Sequence, residues 1–410
     1  MTTGKGCGRG DARVARRDYR GAPVMAHPYH DVAIAGVFNT VQARMLEGHD
    51  SESIALEGAV GALADAGVDP RLVDAVVGNF AQEVVLKFSL GPCARVLNSL
   101  GIPAVLQAAQ MIMAGQARVV LMAAGGAGLY TERASTAPWT RPANEFVVGF
   151  GLFTAAEFAL MARRHMITYG TTPEQLATAA ATIRNNGHIN PQAVYRGRGP
   201  FTASDVLDSR MVADPFHLLD CAMTSEGGCG LVLVHADLVP DLRSKPVWIL
   251  GGGSDSFGPA YQIAPVWEMK GRSDLIAGMV GRHAAASAFR TGGIGPDDVD
   301  VGEFYDPFSF EILRQLEAYG FCGEGESGPF VEDGQIGPGG RIPVTTDGGT
   351  MSFSHAGINA QQLQRVIRGV QQVRGECPTA QVPGAEVALC SNGGSGALFT
   401  DVILLGGERP

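Results

Sequence analysis

Basic charge is scarce in this chain: 31 Lys and Arg face 41 Asp and Glu, for a formal net charge of −10 and an isoelectric point near 5.4. A surface that grips phosphate backbones is normally carried by a basic excess, and no DNA- or RNA-binding motif is present, so nucleic acid is not expected as a partner. Long apolar runs are also missing. The longest, Val147 to Ala162, is interrupted by Thr154 and Glu157 and falls short of the roughly 18 uninterrupted residues a spanning helix needs, which predicts no membrane span. The seven cysteines are odd in number, never form a CxxC pair and follow no signal peptide. That argues against a disulfide framework or a structural zinc site and for reduced thiols in a cytoplasmic protein. The nine histidines do not cluster at ligand spacing either, so no bound metal and no cofactor are expected. Heptads and low-complexity tracts are lacking beyond the first residues.

What is present is a globular α/β pattern in 410 residues, 45% of them hydrophobic, enough for two or three domains. Residues 1–26 carry scattered Lys and Arg without periodicity and read as a disordered extension, with Met25 an alternative start. From Asp31 a strand (Val32 to Gly36) leads to an Ala-rich helix that Ser51 or Ser53 caps and Gly67 ends. Gly67-Val68-Asp69-Pro70 then opens onto the strand Val73 to Gly78. The same turn and strand return at Gly293-Ile294-Gly295-Pro296 and Val299 to Gly302, with an offset of 226 residues between Gly67 and Gly293. A sharper echo pairs Ala117–Gly128 with Ala385–Gly396, identical at six of twelve positions, with an offset of 268. Two α/β halves in the same order imply an internal duplication. The larger second offset implies an insertion in the second half, which contains the Gly-rich stretch Cys322 to Gly349. The boundaries that follow are 27–245 for the first half, including a loop domain over about 129–230, and 246–410 for the second.

The second half contains Gly302-Glu303-Phe304-Tyr305-Asp306-Pro307-Phe308. Pro307 lacks a backbone N–H and disfavours helix at Asp306, so strand pairing should stop near Tyr305 and leave its side chain at the strand's end. In open α/β sheets ligands bind there. Taken locally, Tyr305 reads rather as a packed, half-buried aromatic whose hydroxyl finds a carbonyl.

Several stretches together resemble the thiolase superfamily, specifically its sterol-carrier-protein-type branch. They are Thr202–Ser209, Leu218-Leu219-Asp220-Cys221, Ser225-Glu226-Gly227-Gly228, Val301–Gly320 around Tyr305-Asp306-Pro307-Phe308, and Ser354-His355-Ala356-Gly357. The resemblance covers about residues 31–406 and implies duplicated α/β halves in a five-layer αβαβα arrangement with an inserted loop domain. The family's nucleophilic cysteine falls on Asn98, which cannot form an acyl thioester. The family histidine of the His-Asp-Cys-Phe motif falls on Tyr305 and its cysteine on Pro307, while the later histidine is kept as His355. Among relatives of this kind, the Tyr-Asp-Pro-Phe run is similar to that of the thiolase-like aldolases that shorten steroid side chains, in which a second tyrosine is expected where this chain has His355. The resemblance therefore implies retro-aldol cleavage of a β-hydroxyacyl-CoA, with coenzyme A present only as part of the substrate. It also implies a homodimer and a small zinc-ribbon and OB-fold partner.

In that reading Tyr305, alone or with Asp306, handles the proton of the β-hydroxyl, and His355 stabilises or protonates the enolate. Backbone N–H groups around Asn392, Gly393 and Gly394 supply an oxyanion hole. Asn98 contacts substrate or bonds its own loop, Asp306 alternatively caps the helix that follows it, and Gly393-Gly394 is alternatively a tight turn. Cys390, opposite Met122 in the repeat, reads as an inert core thiol. Two other functions stay open at this point: an acyltransferase using another cysteine such as Cys93 or Cys390, and a non-catalytic acyl-CoA-binding subunit.

Overall fold

The computed structural model describes residues 27–96, 101–128, 154–256, 268–269, 272–276, 280–394 and 399–410. The first half runs β1 (Val32–Asn39), α1 (Ser51–Ala66), β2 (Ala75–Val77), α2 (Ala81–Lys87), β3 (Ala94–Val96), α3 (Gly101–Met113) and β4 (Val119–Gly126). An excursion follows, with α4 (Thr154–Tyr169), α5 (Pro173–Ile189), α6 (Ala203–Asp208) and a small ladder of β5 (Met211–Ala213) and β6 (Phe216–His217), before β7 (Gly227–His235) returns to the sheet. The second half runs β8 (Val247–Ser256), a small ladder of β9 (Glu268–Met269) and β10 (Arg272–Ile276), α7 (Arg282–Gly292), β11 (Val301–Glu303), α8 (Ser309–Ala318) and α9 (Ser327–Glu332). It ends with α10 (Gly349–Ser352), α11 (Gly357–Arg374), β12 (Val387–Gly394) and β13 (Phe399–Gly406). No helix among the described residues is long and apolar enough to cross a membrane.

Among the described residues nine strands form one sheet, in the order β11-β12-β13-β8-β1-β7-β4-β2-β3. Its two flanks are copies joined where β1 meets β8, through Ala33 opposite Trp248 and Ile34 opposite Val247. The duplication extends to register. In the parallel pair β2–β4, Ala75 faces Val120, and in β11–β12, Val301 faces Ala388, the positions to which the two sequence offsets carry the first pair. Both copies also share one irregularity: β1 skips Ala35 between Ile34 and Gly36, and β8 skips Leu250 between Ile249 and Gly251. The glycine after each bulge is required by a helix. A methyl on Gly36 would stand 2.1 Å from the Ala62 carbonyl of α1, and one on Gly251 would stand 2.2 Å from the Ala288 carbonyl of α7. Small residues at these points let helix and strand backbones touch.

Helix α1 is capped by Asp50, whose carboxylate accepts the Ser53 N–H while Ser53 Oγ pairs with the Asp50 backbone; Gly67 closes it at φ 72°. Ser53 is thus the second member of the capping box, and neither serine is the cap itself. Helix α1 covers the outer face of the first half, packing Ala55, Ala59 and Ala62 against Ala33, Val76, Leu121 and Val232. Helices α7 and α8 cover the outer face of the second. Between the halves lie α3 and α11, whose core takes Ile34 and Leu231 from one flank and Ala388, Cys390 and Ile403 from the other. Residues 360–370 of α11 are buried without interruption. Five layers result, and the strand ends of both halves converge beside the start of this central layer.

Candidate active site

Strand β11 stops at Glu303 while β12 continues to Gly394, so one side of residues 391–394 has no strand partner among the described residues. Tyr305 fills this step. Its N–H donates to Ser391 Oγ (3.1 Å), and its carbonyl accepts Gln315 Nε2 of α8 (2.7 Å). The ring lies against Gly393, where a methyl would stand 3.6 Å from Cδ1. Tyr305 is 8% exposed. Gly393 and Gly394 pair with Thr400 and Phe399 of β13, so they are strand ends and not a tight turn.

Asp306 is fully buried. Its carboxylate accepts the N–H groups of Thr350 (2.7 Å) and Met351 (3.1 Å), and the Thr350 hydroxyl donates to the Asp306 main-chain carbonyl (2.8 Å) with Oδ1 next nearest at 3.1 Å. It therefore caps α10, more than forty residues away, and not the following helix α8, whose N-cap Phe308 makes no side-chain bond. Burial pushes this carboxyl up to about 7, against the pull of Arg365 and the two N–H groups.

His355 lies three residues beyond the end of α10. Its N–H donates to Ser225 Oγ (2.7 Å), and Nδ1 lies 2.6 Å from the Met223 carbonyl. A carbonyl only accepts, so Nδ1 carries the hydrogen, and a neutral ring then presents Nε2 as a lone pair. Burial lowers the imidazole pKa, only partly offset by the Met223 bond, which favours that neutral form. Behind it, Ser354 Oγ donates to Gln42 Oε1 (2.6 Å) and sits 3.5 Å from Ser225 Oγ.

Asn392 is 1% exposed; its amide bonds the Asp401 carboxylate while its Oδ1 has no partner among the described residues. The first residue of α3, Gly101, at φ 55°, is pressed against it: a methyl there would stand 2.6 Å from Asn392 Nδ2. Asn392 thus offers a buried acceptor beside the start of α3. Asn98, just upstream of that start, lies outside the described residues.

Sequence reading missed the groups that hold these loops. Arg184 of α5, 2% exposed, donates to the carbonyls of Leu219, Cys221 and Met351 (2.6, 2.8 and 3.0 Å). Arg365 of α11, wholly buried, makes a bidentate pair with Asp347 (2.7 and 2.7 Å) and lies 3.8 Å from Glu303. Glu303 accepts the hydroxyl (2.5 Å) and N–H (3.1 Å) of Thr346, and burial together with Asp347 raises its pKa to about 7. The Gly-rich stretch before Gly349 was the available signal, but it gave no hint of its buried partners.

None of the described cysteines has a thiol shifted toward the thiolate. Cys390 and Cys229 are fully buried with thiols pushed well up by desolvation, and burial pushes Cys221, Cys322 and Cys377 up to about 12. Cys93 is raised as well. Thiolate is the reactive form.

A family model described as thiolase C-terminal domain-like matches residues 265–407. Acetyl-CoA acetyltransferase of Methanothermobacter thermautotrophicus is 30% identical over 89% of this chain and 97% of that protein. The steroid side-chain-cleaving aldolase of Thermomonospora curvata is 30% identical over 92% and 98%. A solved structure titled Ltp2-ChsH2(DUF35) aldolase superposes with a TM-score of 0.79 at 29% identity, covering 94% of this chain and all of that one. The fold and these likenesses define the class: the chain belongs to the thiolase superfamily. Within it the chain falls in the sterol-carrier-protein-2-like branch, as its likeness to sterol carrier protein 2 of Rattus norvegicus also indicates, at 29% identity over 85% of this chain and 66% of that protein.

Proposed function

We propose that the protein is a thiolase-like aldolase that cleaves a β-hydroxyacyl-CoA, a steroid side-chain thioester foremost, into a ketone and a shorter acyl-CoA such as propionyl-CoA. The observation that carries this is the pairing of a neutral His355, its Nδ1–H held by Met223, with Tyr305 where the family pattern has histidine, in a chain whose described thiols are all raised. Retro-aldol cleavage needs a base on the β-hydroxyl and a donor on the thioester oxygen. His355 Nε2 takes the hydroxyl proton. The bond between the α and β carbons breaks, the β carbon becomes the ketone, and the electron pair spreads over the α carbon and thioester oxygen as an enolate. The Tyr305 hydroxyl donates to that oxygen, and the proton held on His355 returns to the α carbon. This exchanges the roles expected from sequence. What supports the exchange is the tautomer at His355, which leaves Nε2 able to accept and not to donate. We assign the buried Oδ1 of Asn392, unpartnered among the described residues, to accept an N–H or O–H of the substrate.

The alternative, acyl transfer, is favoured by the likeness to acetyl-CoA acetyltransferase. One assay separates the two. Incubated with a panel of β-hydroxyacyl-CoA thioesters, sterol-derived ones first, the protein should release ketone and shorter acyl-CoA at a rate unchanged by prior cysteine alkylation. Complete inactivation that acyl-CoA protects against would overturn the aldolase reading.

The neighbouring structure's title names two components, which supports a partner protein; on the family resemblance we further propose that the chain is a homodimer, that the partner is a small zinc-ribbon and OB-fold protein, and that both work in the cytoplasm. Mass measured in solution should correspond to two copies, and should rise when a partner of that kind is co-expressed. A monomer in both cases would refute the proposal.

A further inference from the structure

Helix α10 has four residues, too few to hold itself by its own hydrogen bonds. Two carboxylates hold its start: Asp347 accepts the Gly349 N–H (2.8 Å), and Asp306 accepts those of Thr350 and Met351. Both belong to the buried charge cluster around Arg365, which grips Asp347 directly and attracts Asp306. The other side of the turn is equally fixed. The Thr350 carbonyl accepts the Met223 N–H (3.2 Å), the Ser352 and Phe353 carbonyls accept the N–H groups of Tyr195 and Val194 (3.0 and 3.1 Å), and Arg184 holds the Met351 carbonyl. Met223 is in turn the residue whose carbonyl takes the Nδ1–H of His355. A short path therefore runs from Asp306 through Thr350 and Met223 to His355, and Asp306 is the chain neighbour of Tyr305.

We infer that Asp306 is a positioning residue: by gripping Thr350 and Met351 it sets the placement of His355 relative to Tyr305 and fixes the His355 tautomer, without touching substrate. Its two carboxylate oxygens each accept a backbone N–H and are wholly enclosed, so it has no part in the proton transfer expected of it from sequence. The inference rests on the aldolase reading for the roles of the two groups. The same logic explains why a buried carboxylate is kept here at an electrostatic cost. A carboxylate offers one accepting oxygen to each of the two adjacent N–H groups, where an amide offers only one.

The test compares the full-length wild type with Asp306→Asn, which keeps shape but turns an NH2 toward a backbone N–H, and with the milder Thr350→Val. A displacement of about 1 Å in a reacting group costs on the order of a hundredfold in rate. Asp306→Asn should therefore lose about ten- to a hundredfold in kcat with KM within twofold, and Thr350→Val should lose less in the same direction. On the free protein, selective 15N-histidine labelling should show His355 as a single Nδ1–H tautomer in wild type and as a mixture in Asp306→Asn. An unchanged tautomer, or a loss confined to KM, overturns the inference. If Asp306→Asn does not melt cooperatively, Thr350→Val carries the same two readouts. A wild type that cleaves no β-hydroxyacyl-CoA defeats the aldolase reading, while the tautomer still decides the positioning role.

Discussion

Replacing His355 by glutamine is expected to lower kcat for β-hydroxyacyl-CoA cleavage by about a thousandfold or more, with little change in thermal stability. A positioned general base contributes about 10²–10⁴-fold, and no other described histidine shares the loop of Ser225, Met223 and Ser354. Glutamine can keep a donor toward the Met223 carbonyl, so the loop has reason to survive the change, but it cannot take up a proton. The pH profile gives the sharper sign. Burial lowers the His355 pKa below its ordinary value, near 6.5, so the lone pair persists at neutral pH. Cleavage in the wild type should then hold steady above about 6.5 and fall only as pH drops through the lowered value; the glutamine variant should lack that limb. Stability follows the same direction, because the unfolded chain binds this proton more readily than the folded one, so this contribution is lost as pH falls. A variant that keeps wild-type kcat would remove His355 from the chemistry.

Tyr305→Phe is the second large effect. The ring packs on Gly393 and the main-chain bonds to Ser391 and Gln315 use only backbone atoms of Tyr305, so phenylalanine retains every one of these contacts. Only the hydroxyl goes. Removing one donor from an enolate oxygen in a water-poor site costs about 10²–10³-fold, and the loss should fall on kcat more than on KM because the charge exists only after the bond breaks. Steady-state kinetics with a melting curve tests this directly. Unchanged kcat with an unchanged melting temperature would return Tyr305 to a packing role.

How much of this was legible beforehand depends on the reach of each signal. Pro307 marks the end of β11 locally, and the repeat of Gly-Val-Asp-Pro as Gly-Ile-Gly-Pro marks the duplication, so the two α/β halves and the place of Tyr305 could be read from neighbours in sequence, while the five-layer arrangement came only with the family resemblance. Asp306 could not. An aspartate before Pro-Phe-Ser looks like a cap for the helix that follows, and only the folded loops bring α10 to it. Arg365 and Arg368 were hidden for a related reason. The run Gln361-Gln362-Leu363-Gln364-Arg365-Val366-Ile367-Arg368 has the period of a half-exposed helix, and a polar stripe reads the same whether it faces water or buried carboxylates. Arg365 meets Asp347 and Arg368 bonds the hydroxyl and carbonyl of Thr346 (2.8 and 3.0 Å). The tautomer of His355 was likewise invisible, since it depends on a carbonyl 132 residues away.

The central position of α11 bears on how the chain is made. The inner face of the first flank, with Ile34, Val120 and Leu231, shares its core with Ala360, Leu363 and Val366 of this helix, which leaves the ribosome long after β7. During synthesis that apolar face has α3 but not α11 to shield it, and exposed apolar surface of this kind invites aggregation and chaperone capture. The first copy of the duplicated unit thus cannot finish folding alone; it waits for a segment supplied by the second.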